Sequence, residues 1–550
     1  MISLKTYKYR LVSLRHTMSG TKKSTLPDAL HWADQMAQRI IREKGDKNLY
    51  VVASGITPSG TVHIGNFREI ITTDIVARAL VRAGKKVRFI YSWDDYDVFR
   101  KVPANMPKQD LLKTYLRKPI VDTPDPFECG HESYARHHEE EIEEGIKQVG
   151  IEPKFLYQAD KYRDCEYAKD IAFAMQKRRE IATILNKHRK EPLPLDWTPA
   201  SVFCAECGRD TTRIVTYDGK WNVTYACECG FEETFDIRKK GIIKLKWRAD
   251  WPMRWNAEKV DFEPGGKDHS TVGGSFDTGK EIVKLWGWTA PTYLMYDFIS
   301  IKGRGGKISS SEGTVITLRD VLEVYEPAMV RWLFAGTRPG AEFAIAFDAD
   351  VIKNYEDFDR CERVYFGEEK VRNDKELANQ NRIYELSCVH DVPKRLPLQP
   401  GFRHLCNILQ YNDMDIDKTI GFYKRQLRDK RDRNRLEVRA HCAKNWLEKY
   451  APDDFKFKLN KSVPASVKEK LSSAQKKALH DIAHALVTKD DWSDEALHEE
   501  FYVILRNNKL ETKEFFKAAY QVLCSADRGP KLAAFVLEIK ERAIELFSKV

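Results

Sequence analysis

The clearest periodicity lies near the start of the chain. Asn48–Ser54 (NLYVVAS) is a short apolar run with adjacent valines, the pattern of a buried strand. After Asn66, FREIITTDIVARALVRAG places Ile70, Ile71, Ile75, Val76, Ala79 and Leu80 at helical spacing and stops at Gly84. KKVRFIYSWDDYD then carries a second strand on Val87, Phe89, Ile90 and Tyr91. Strand, helix and strand within about 45 residues form a βαβ unit, which predicts a parallel sheet with its ligand at the carboxyl ends of the strands. An earlier helix over residues 28–45 is set by Ala29, Trp32, Ala33, Met36, Ile40 and Ile41 and ends at Gly45. Between the first strand and its helix lies SGITPSGTVHIGN (54–66), small, hydroxylated and glycine-rich around His63. Such a turn leaves free N–H groups and the positive end of a helix facing the crevice, which suits a phosphate.

The pattern then breaks. Residues 101–245 are rich in Pro, Cys, His and charge and read as an insertion into the sheet. Apolar density returns in LKWRADWPMRW (Leu245–Trp255), followed by the glycine-rich VDFEPGGKDHSTVGGSFDTG (260–279). A helix over 280–287, the apolar TYLMYDFIS (292–300) and KGRGGKISSSEG (302–313) come next. From about residue 370 the spacing is almost wholly helical, as in SSAQKKALHDIAHALV (472–487) and KLAAFVLEIKERAIELF (531–547). The expected fold is α/β: a Rossmann-type parallel-sheet domain at 28–310 interrupted by an insertion at 101–245 whose cysteines and histidines suit a metal, a connecting region at 311–370, and an all-α domain at 371–550. Residues 1–27 form an N-terminal arm. No internal repeat or low-complexity tract is present.

Composition narrows the class. The 550 residues are 42% hydrophobic and carry a net charge of +10, a moderate excess that suits a polyanionic partner without requiring one. Eleven cysteines, an odd number in a long chain with no recognisable secretory signal, point to reduced thiols and metal ligands rather than a disulfide framework. No stretch approaches the roughly 20 apolar residues of a membrane span, so a cytoplasmic protein is expected. MISLKTYKYRLVSLRHTM contains Lys5, Lys8, Arg10 and Arg15 and no acid. It reads either as a transit peptide or as an arm ahead of a start at Met18, and its lack of an amphipathic helix favours the second.

Two loops carry the chemistry. In PSGTVHIGN (Pro58–Asn66), Gly60 and Gly65 permit close backbone approach, while His63 and Asn66 offer donors to charge that grows on an α-phosphate under attack. In KISSS (Lys307–Ser311), Lys307 offers a mobile cation for a triphosphate, and Ser309, Ser310 and Ser311 offer hydroxyls. Either string alone is weak. Two phosphate-type loops at the ends of neighbouring strands make a nucleotide site.

The pair resembles the HIGH-like and KMSKS-like motifs of class I aminoacyl-tRNA synthetases. PSGTVHIGN, SWDDYD with FRKVP, DPF with CGHESYARH, WRADWPMRW, GGKDH with GGSFDTG, and KISSSEGT together are similar to the class I lysyl-tRNA synthetase family, the archaeal and minority-bacterial type. The resemblance is dense over residues 48–345 and thinner in the C-terminal helices, through FFKAAYQVLCSADRGPKLAAF (515–535). It implies ATP-dependent activation of L-lysine and transfer to the 3′ end of tRNA(Lys). His63 and Asn66 would contact the ATP phosphates, Gly65 would lie under the adenosine, and Lys307 with the three serines would stabilise the leaving pyrophosphate. Ser310 stands where the KMSKS pattern usually has its second lysine. Mg2+ is expected on the triphosphate, without a dedicated protein cage. The 311–370 region would contact the tRNA stem and 371–550 would bind the anticodon. A monomer is expected.

A lysine substrate needs an acid. Asp94, Asp95 and Asp97 follow the second strand, and alternation would put Asp95 and Asp97 on one face and Asp94 on the other. One face would pair the ammonium, and the residues leave open which. Trp251, Trp255 and His269 are candidate walls for the methylene stem.

Cys204-x2-Cys207 and Cys227-x-Cys229, separated by nineteen residues, suit a tetrahedral structural zinc. The short second pair makes Cys227 the least regular ligand. In DPFECGHESYARHH, Asp125, Cys129, His131 and His137 could gather a second zinc if the loop bends onto the following helix, with His138 competing for the place of His137. The resemblance supports the first set of four. Two zinc ions per chain are therefore expected. KRQLRDKRDRNRLEVR (424–439) is either an RNA-facing basic helix or a solvated face laced with i, i+4 pairs such as Arg428–Asp432. Rival readings are a glutamyl-tRNA synthetase-like enzyme, disfavoured by the acids of SWDDYD, a nucleotidyltransferase, and a non-catalytic RNA-binding paralogue.

Overall fold

Five parallel strands form the centre of the computed structural model, which describes residues 30–302 and 315–550. They are β1 (Leu49–Ile56), β2 (Lys86–Trp93), β3 (Lys154–Tyr157), β4 (Phe262–Gly266) and β5 (Thr292–Tyr296), in the spatial order β5-β4-β1-β2-β3. The chain winds outward from β1 in both directions, so the crevice at the carboxyl ends of β1 and β4 is the topological switch point. Tyr50 to Ser54 of β1 are all buried, as a strand covered on both faces requires.

Helix α1 (Trp32–Lys44) precedes β1 and stops at Gly45, whose φ of 77° suits glycine. Helix α2 (Ile64–Arg82) crosses from β1 to β2. It is buried almost all round because a second layer covers its outer side. There Phe67 meets Phe334 edge-on at 5.3 Å, and Arg331 donates to Asp74 at 2.7 Å from the helix Pro327–Gly336.

Helix α3 (Tyr134–Gln148) leads into β3. Both lie inside the 101–245 stretch expected as an insertion, so that expectation is corrected: the sheet takes its fifth strand from residues 154–157. At four residues, β3 is too short to announce itself by periodicity. What does stand apart from the main sheet is a three-stranded antiparallel meander, Thr212–Tyr217, Asn222–Cys227 and Glu232–Asp236. Helix α4 (Trp247–Glu258) returns the chain to β4.

After Ile345 every described element is helical. The expected boundary at 370–371 is not a boundary of the core, since one apolar cluster runs from Ala33 through the sheet to Ala451. A second cluster spans Ala478 to Val550. Tyr411 packs against both, and its ring stacks on Phe535 at 4.9 Å.

Candidate active site

His63 caps the N-terminus of α2, and its backbone N–H donates to Asn66 Oδ1 at 3.2 Å. That bond commits the amide oxygen of Asn66, so its NH2 is the group it can offer a ligand. A Cβ at Gly65 would lie 2.8 Å from the His63 imidazole, so only glycine lets the ring fold over this turn. The N–H of Ile64 donates to the carbonyl of Ile316 at 2.8 Å. This bond joins the His63 turn to the chain just beyond the KISSS segment. Lys307, Ser309, Ser310 and Ser311 themselves lie outside the described residues. Pro58, Ser59 and Gly60 form the turn ahead of His63, with Ser59 N–H donating to Thr57 at 2.8 Å.

The three aspartates sit differently from expectation. They lie beyond the end of β2, where strand alternation no longer applies. Asp94 accepts from Arg254 at 2.6 Å. Asp97 pairs with Lys244 at 2.9 Å and accepts from Thr57 Oγ1 at 3.1 Å. Asp250, which also accepts from Tyr162, joins Lys244 and Arg254 at 3.1 and 3.3 Å. Asp94 and Asp97 therefore share one buried ionic cluster and already hold cations. Burial raises Asp94; at Asp97 burial also pushes upward, but Lys244, Arg254 and the Thr57 hydroxyl together outweigh it and hold the carboxyl low. Asp95 faces elsewhere, accepting from the N–H of Ala159 at 2.8 Å, and burial lifts it to about 7.

Two acids that the sequence reading passed over stand at the switch point. Glu69, on α2, accepts from Gly55 N–H of β1 at 3.1 Å and from the Tyr296 hydroxyl of β5 at 2.7 Å. Glu263, on β4, accepts from Trp255 Nε1 at 2.6 Å. Among the described residues no Lys or Arg forms an ion pair with either. Burial pushes Glu69 up to about 8 and Glu263 to about 7, and the negative charges of Glu263 and Asp94 raise Glu69 further. The sequence signal for Glu69 was slight: an acid six residues after His63, in a helix that also carries Arg68, Asp74 and Arg78.

Aromatic walls adjoin these acids. Trp251 stacks on Trp247 at 5.0 Å and lies 5.7 Å from the His269 ring, and Phe276 stacks on Tyr293 at 3.7 Å. Trp251, Trp255 and His269 are thus brought together, as the sequence suggested.

Both metal-type groups also converge. Cys204 and Cys229 have their sulfurs 3.7 Å apart, as do Cys207 and Cys227. Tetrahedral ligands with Zn–S near 2.3 Å would be separated by about 3.8 Å, so all four cysteines fit one ion, the irregular Cys227 included. Cys129 Sγ lies 2.8 Å from His131 Nδ1, 3.0 Å from His137 Nδ1 and 3.1 Å from Asp125 Oδ2. His138 is buried and stands outside this group; it gathers instead with His137 and Glu141.

Residues 30–390 match the family model described as tRNA synthetases class I (K). The chain belongs to this family. It is 51% identical over 521 residues to the lysine–tRNA ligase of Borreliella burgdorferi, covering 94% of this chain and 98% of that relative. It is 45% identical to the lysine–tRNA ligase of Thermococcus kodakarensis, covering 94% and 98%. Identity to that of Methanocaldococcus jannaschii is 34%, covering 94% and 99%.

In this synthetase the basic run at 424–439 is divided by its partners. Arg439 is fully buried and grips Asp359 at 2.7 and 2.8 Å and Glu326 at 2.5 Å. Arg435 donates to Glu326 and Glu362 at 3.2 and 2.9 Å. Arg428 holds Asp432 at 2.9 Å, the i, i+4 pair anticipated. These three arginines serve the fold, whereas Lys424, Arg425, Lys430, Arg431 and Arg433 are exposed. No helix among the described residues is long and apolar enough to cross a membrane.

Proposed function

We propose that this synthetase activates L-lysine with ATP and transfers it to the 3′ end of tRNA(Lys). The observation that carries the substrate side is Glu69: a half-buried carboxyl with no ion-paired cation among the described residues, held by Tyr296 and Gly55 at the switch point and backed by Glu263. A site that places two acids without a cation suits an ammonium and repels a carboxylate side chain. The identity of the relatives supports the same substrate.

The lysine ε-ammonium sits on Glu69, and its methylene stem lies along Trp251, Trp255 and His269. ATP binds with its phosphates over the start of α2, where His63 and the Asn66 amide donate to the α-phosphate as charge builds. The lysine carboxylate oxygen attacks the α-phosphorus, and the bond to the bridging oxygen breaks to release pyrophosphate. Lys307, with Ser309, Ser310 and Ser311, stabilises that leaving group, and Mg2+ travels with the triphosphate. A terminal ribose hydroxyl of the tRNA then attacks the lysyl carbonyl and AMP leaves. Cys204, Cys207, Cys227 and Cys229, and Asp125, Cys129, His131 and His137, would each hold a zinc ion, which would supply a crosslink rather than chemistry. The exposed cations of 424–433 are offered to the RNA backbone.

The test is amino-acid-dependent ATP–pyrophosphate exchange, with and without tRNA, using lysine, glutamate, glutamine and arginine in parallel. Exchange with lysine alone, lost in Lys307→Ala, supports the reading. Exchange with glutamate would move the substrate to the neighbouring specificity, and no exchange in folded, zinc-loaded protein with tRNA present would make the chain a non-catalytic RNA binder.

A further inference from the structure

Tyr134 occupies an unusual place between two of the sites above. In sequence it is bracketed by the second metal group: Asp125, Cys129 and His131 precede it, and His137 follows one helical turn later. In space it is fully buried, with its ring against Phe99 at 5.2 Å and His138 at 4.8 Å. Its N–H donates to Thr123 at 2.8 Å, and Ser133 beside it caps α3 by accepting from Arg136 N–H at 3.1 Å. The first turn of α3 is therefore held firmly from behind. The tyrosine hydroxyl points the other way and donates to the carbonyl of Ser59 at 3.1 Å, in the turn four residues ahead of His63.

That turn is closely seated. A Cβ at Gly60 would come within 3.1 Å of Pro103 Cγ and 3.7 Å of the Tyr134 hydroxyl. Asn105 donates to Thr61 at 3.3 Å from the same side. Phe99, Met106, Leu112, Ile120, Tyr134 and Ala135 form a small core of their own beneath it. Tyr134 and Ala135 of this core open α3, the helix that also carries His137, and Asp125, Cys129 and His131 lie on the loop just before it. An ion shared by that loop and His137 would lock the loop to the first turn of α3, and with it the hydroxyl that meets Ser59.

We propose that Tyr134 is a positioning residue through which the Asp125–Cys129–His131–His137 metal group fixes the Ser59–Gly60 turn for ATP. This rests on the reading of that turn as the ATP-phosphate loop. The metal group is then not merely a remote brace: its occupancy sets nucleotide affinity.

The test is a double-variant cycle read by equilibrium ATP binding, with zinc content measured on each protein. Tyr134→Phe keeps the ring and removes only the donor to Ser59. It is expected to raise the ATP dissociation constant about 3- to 10-fold, the range a lost buried hydrogen bond spans, with two zinc ions, the melting temperature and the lysine KM unchanged. His137→Ala is expected to lose one zinc and weaken ATP by a similar factor. The double variant should bind ATP no worse than His137→Ala alone, because both act through one link. Unaltered ATP binding in Tyr134→Phe, or equal losses for ATP and lysine, would overturn the proposal; so would additive losses in the double variant. ATP binding requires no turnover, so failed lysine exchange by the unaltered protein would count against the functional reading alone.

Discussion

The hydroxyl of Tyr296 meets Glu69 Oε2 at 2.7 Å, joining the last strand of the sheet to the helix that follows the first. The bond fixes where the one unpaired acid of the first crossover points. Glu69→Gln keeps the hydrogen-bonding shape and removes the charge. It is expected to lower kcat/KM for lysine about 10- to 150-fold, the span of a bond to a charged group, while leaving ATP binding intact. Tyr296→Phe should cost less, because the carboxylate stays. Steady-state exchange kinetics with each substrate varied in turn check both.

The same burial predicts a pH dependence. Glu69 titrates near 8 in the free protein, so at neutral pH it is largely protonated. Lysine keeps its ε-ammonium well above this range, since its own pKa is about 10.4. Binding must therefore expel a proton from the acid. Lysine affinity should rise with pH below about 8 and level off above it. Stability runs the opposite way. An acid whose folded pKa is raised binds its proton more tightly folded than unfolded, so its contribution is lost as pH climbs from the ordinary carboxylate range to about 8. Glu69→Gln should flatten the affinity profile and raise the denaturant midpoint at pH 8.

How far this was legible in the sequence depends on the distance over which partners are found. The turn at His63 was readable because its strand, cap and helix are contiguous. The acids were not. Asp94 and Asp97 look like ligands in SWDDYD, but the cation that neutralises Asp94 is Arg254, 160 residues further on. Glu69 looks like a solvated helix position until β5 brings Tyr296 against it. Arg439 likewise reads as RNA-binding until Asp359, 80 residues earlier, takes its guanidinium. Local periodicity finds elements; it does not find which charges cancel.

Gly65 offers a test of the nucleotide turn that leaves the lysine pocket alone. With a Cβ 2.8 Å from the His63 ring, Gly65→Ala must push the imidazole off the turn. A displacement of about 1 Å at a phosphate-stabilising group can cost on the order of 100-fold in rate. Exchange should fall by that order, with lysine binding in the absence of ATP unchanged by calorimetry.

The division of the basic run predicts two unlike phenotypes. Arg439→Met removes a buried cation and leaves Asp359 and Glu326 only the longer contacts of Arg435, at 3.6 and 3.2 Å, a loss of about 3–5 kcal/mol in unfolding free energy. Denaturant melts should show it. Arg431→Ala and Arg433→Ala, both at exposed positions, should leave stability within about 0.5 kcal/mol and reduce the salt dependence of tRNA binding. If Arg439→Met folded normally and bound tRNA with a smaller salt slope, the assignment of that arginine to the core would be wrong.

Metal analysis closes the set. The four cysteine sulfurs, paired at 3.7 Å, and the Asp-Cys-His-His group, with its ligand atoms 2.8 to 3.1 Å from Cys129 Sγ, predict two zinc ions per chain after exhaustive chelator washing of the surface. The two should be separable, because Cys204 and Cys227 pack with the meander, while His137 of the other group stands on α3, whose Tyr134 and Ala135 belong to a separate core. Cys204→Ser should remove one ion and loosen the meander, seen as faster amide exchange over residues 203–236, with ATP binding kept. His137→Ala should remove the other and spare the meander. Loss of both ions from either variant would mean the two groups are not independent, and a single ion in the unaltered protein would eliminate one of the sites.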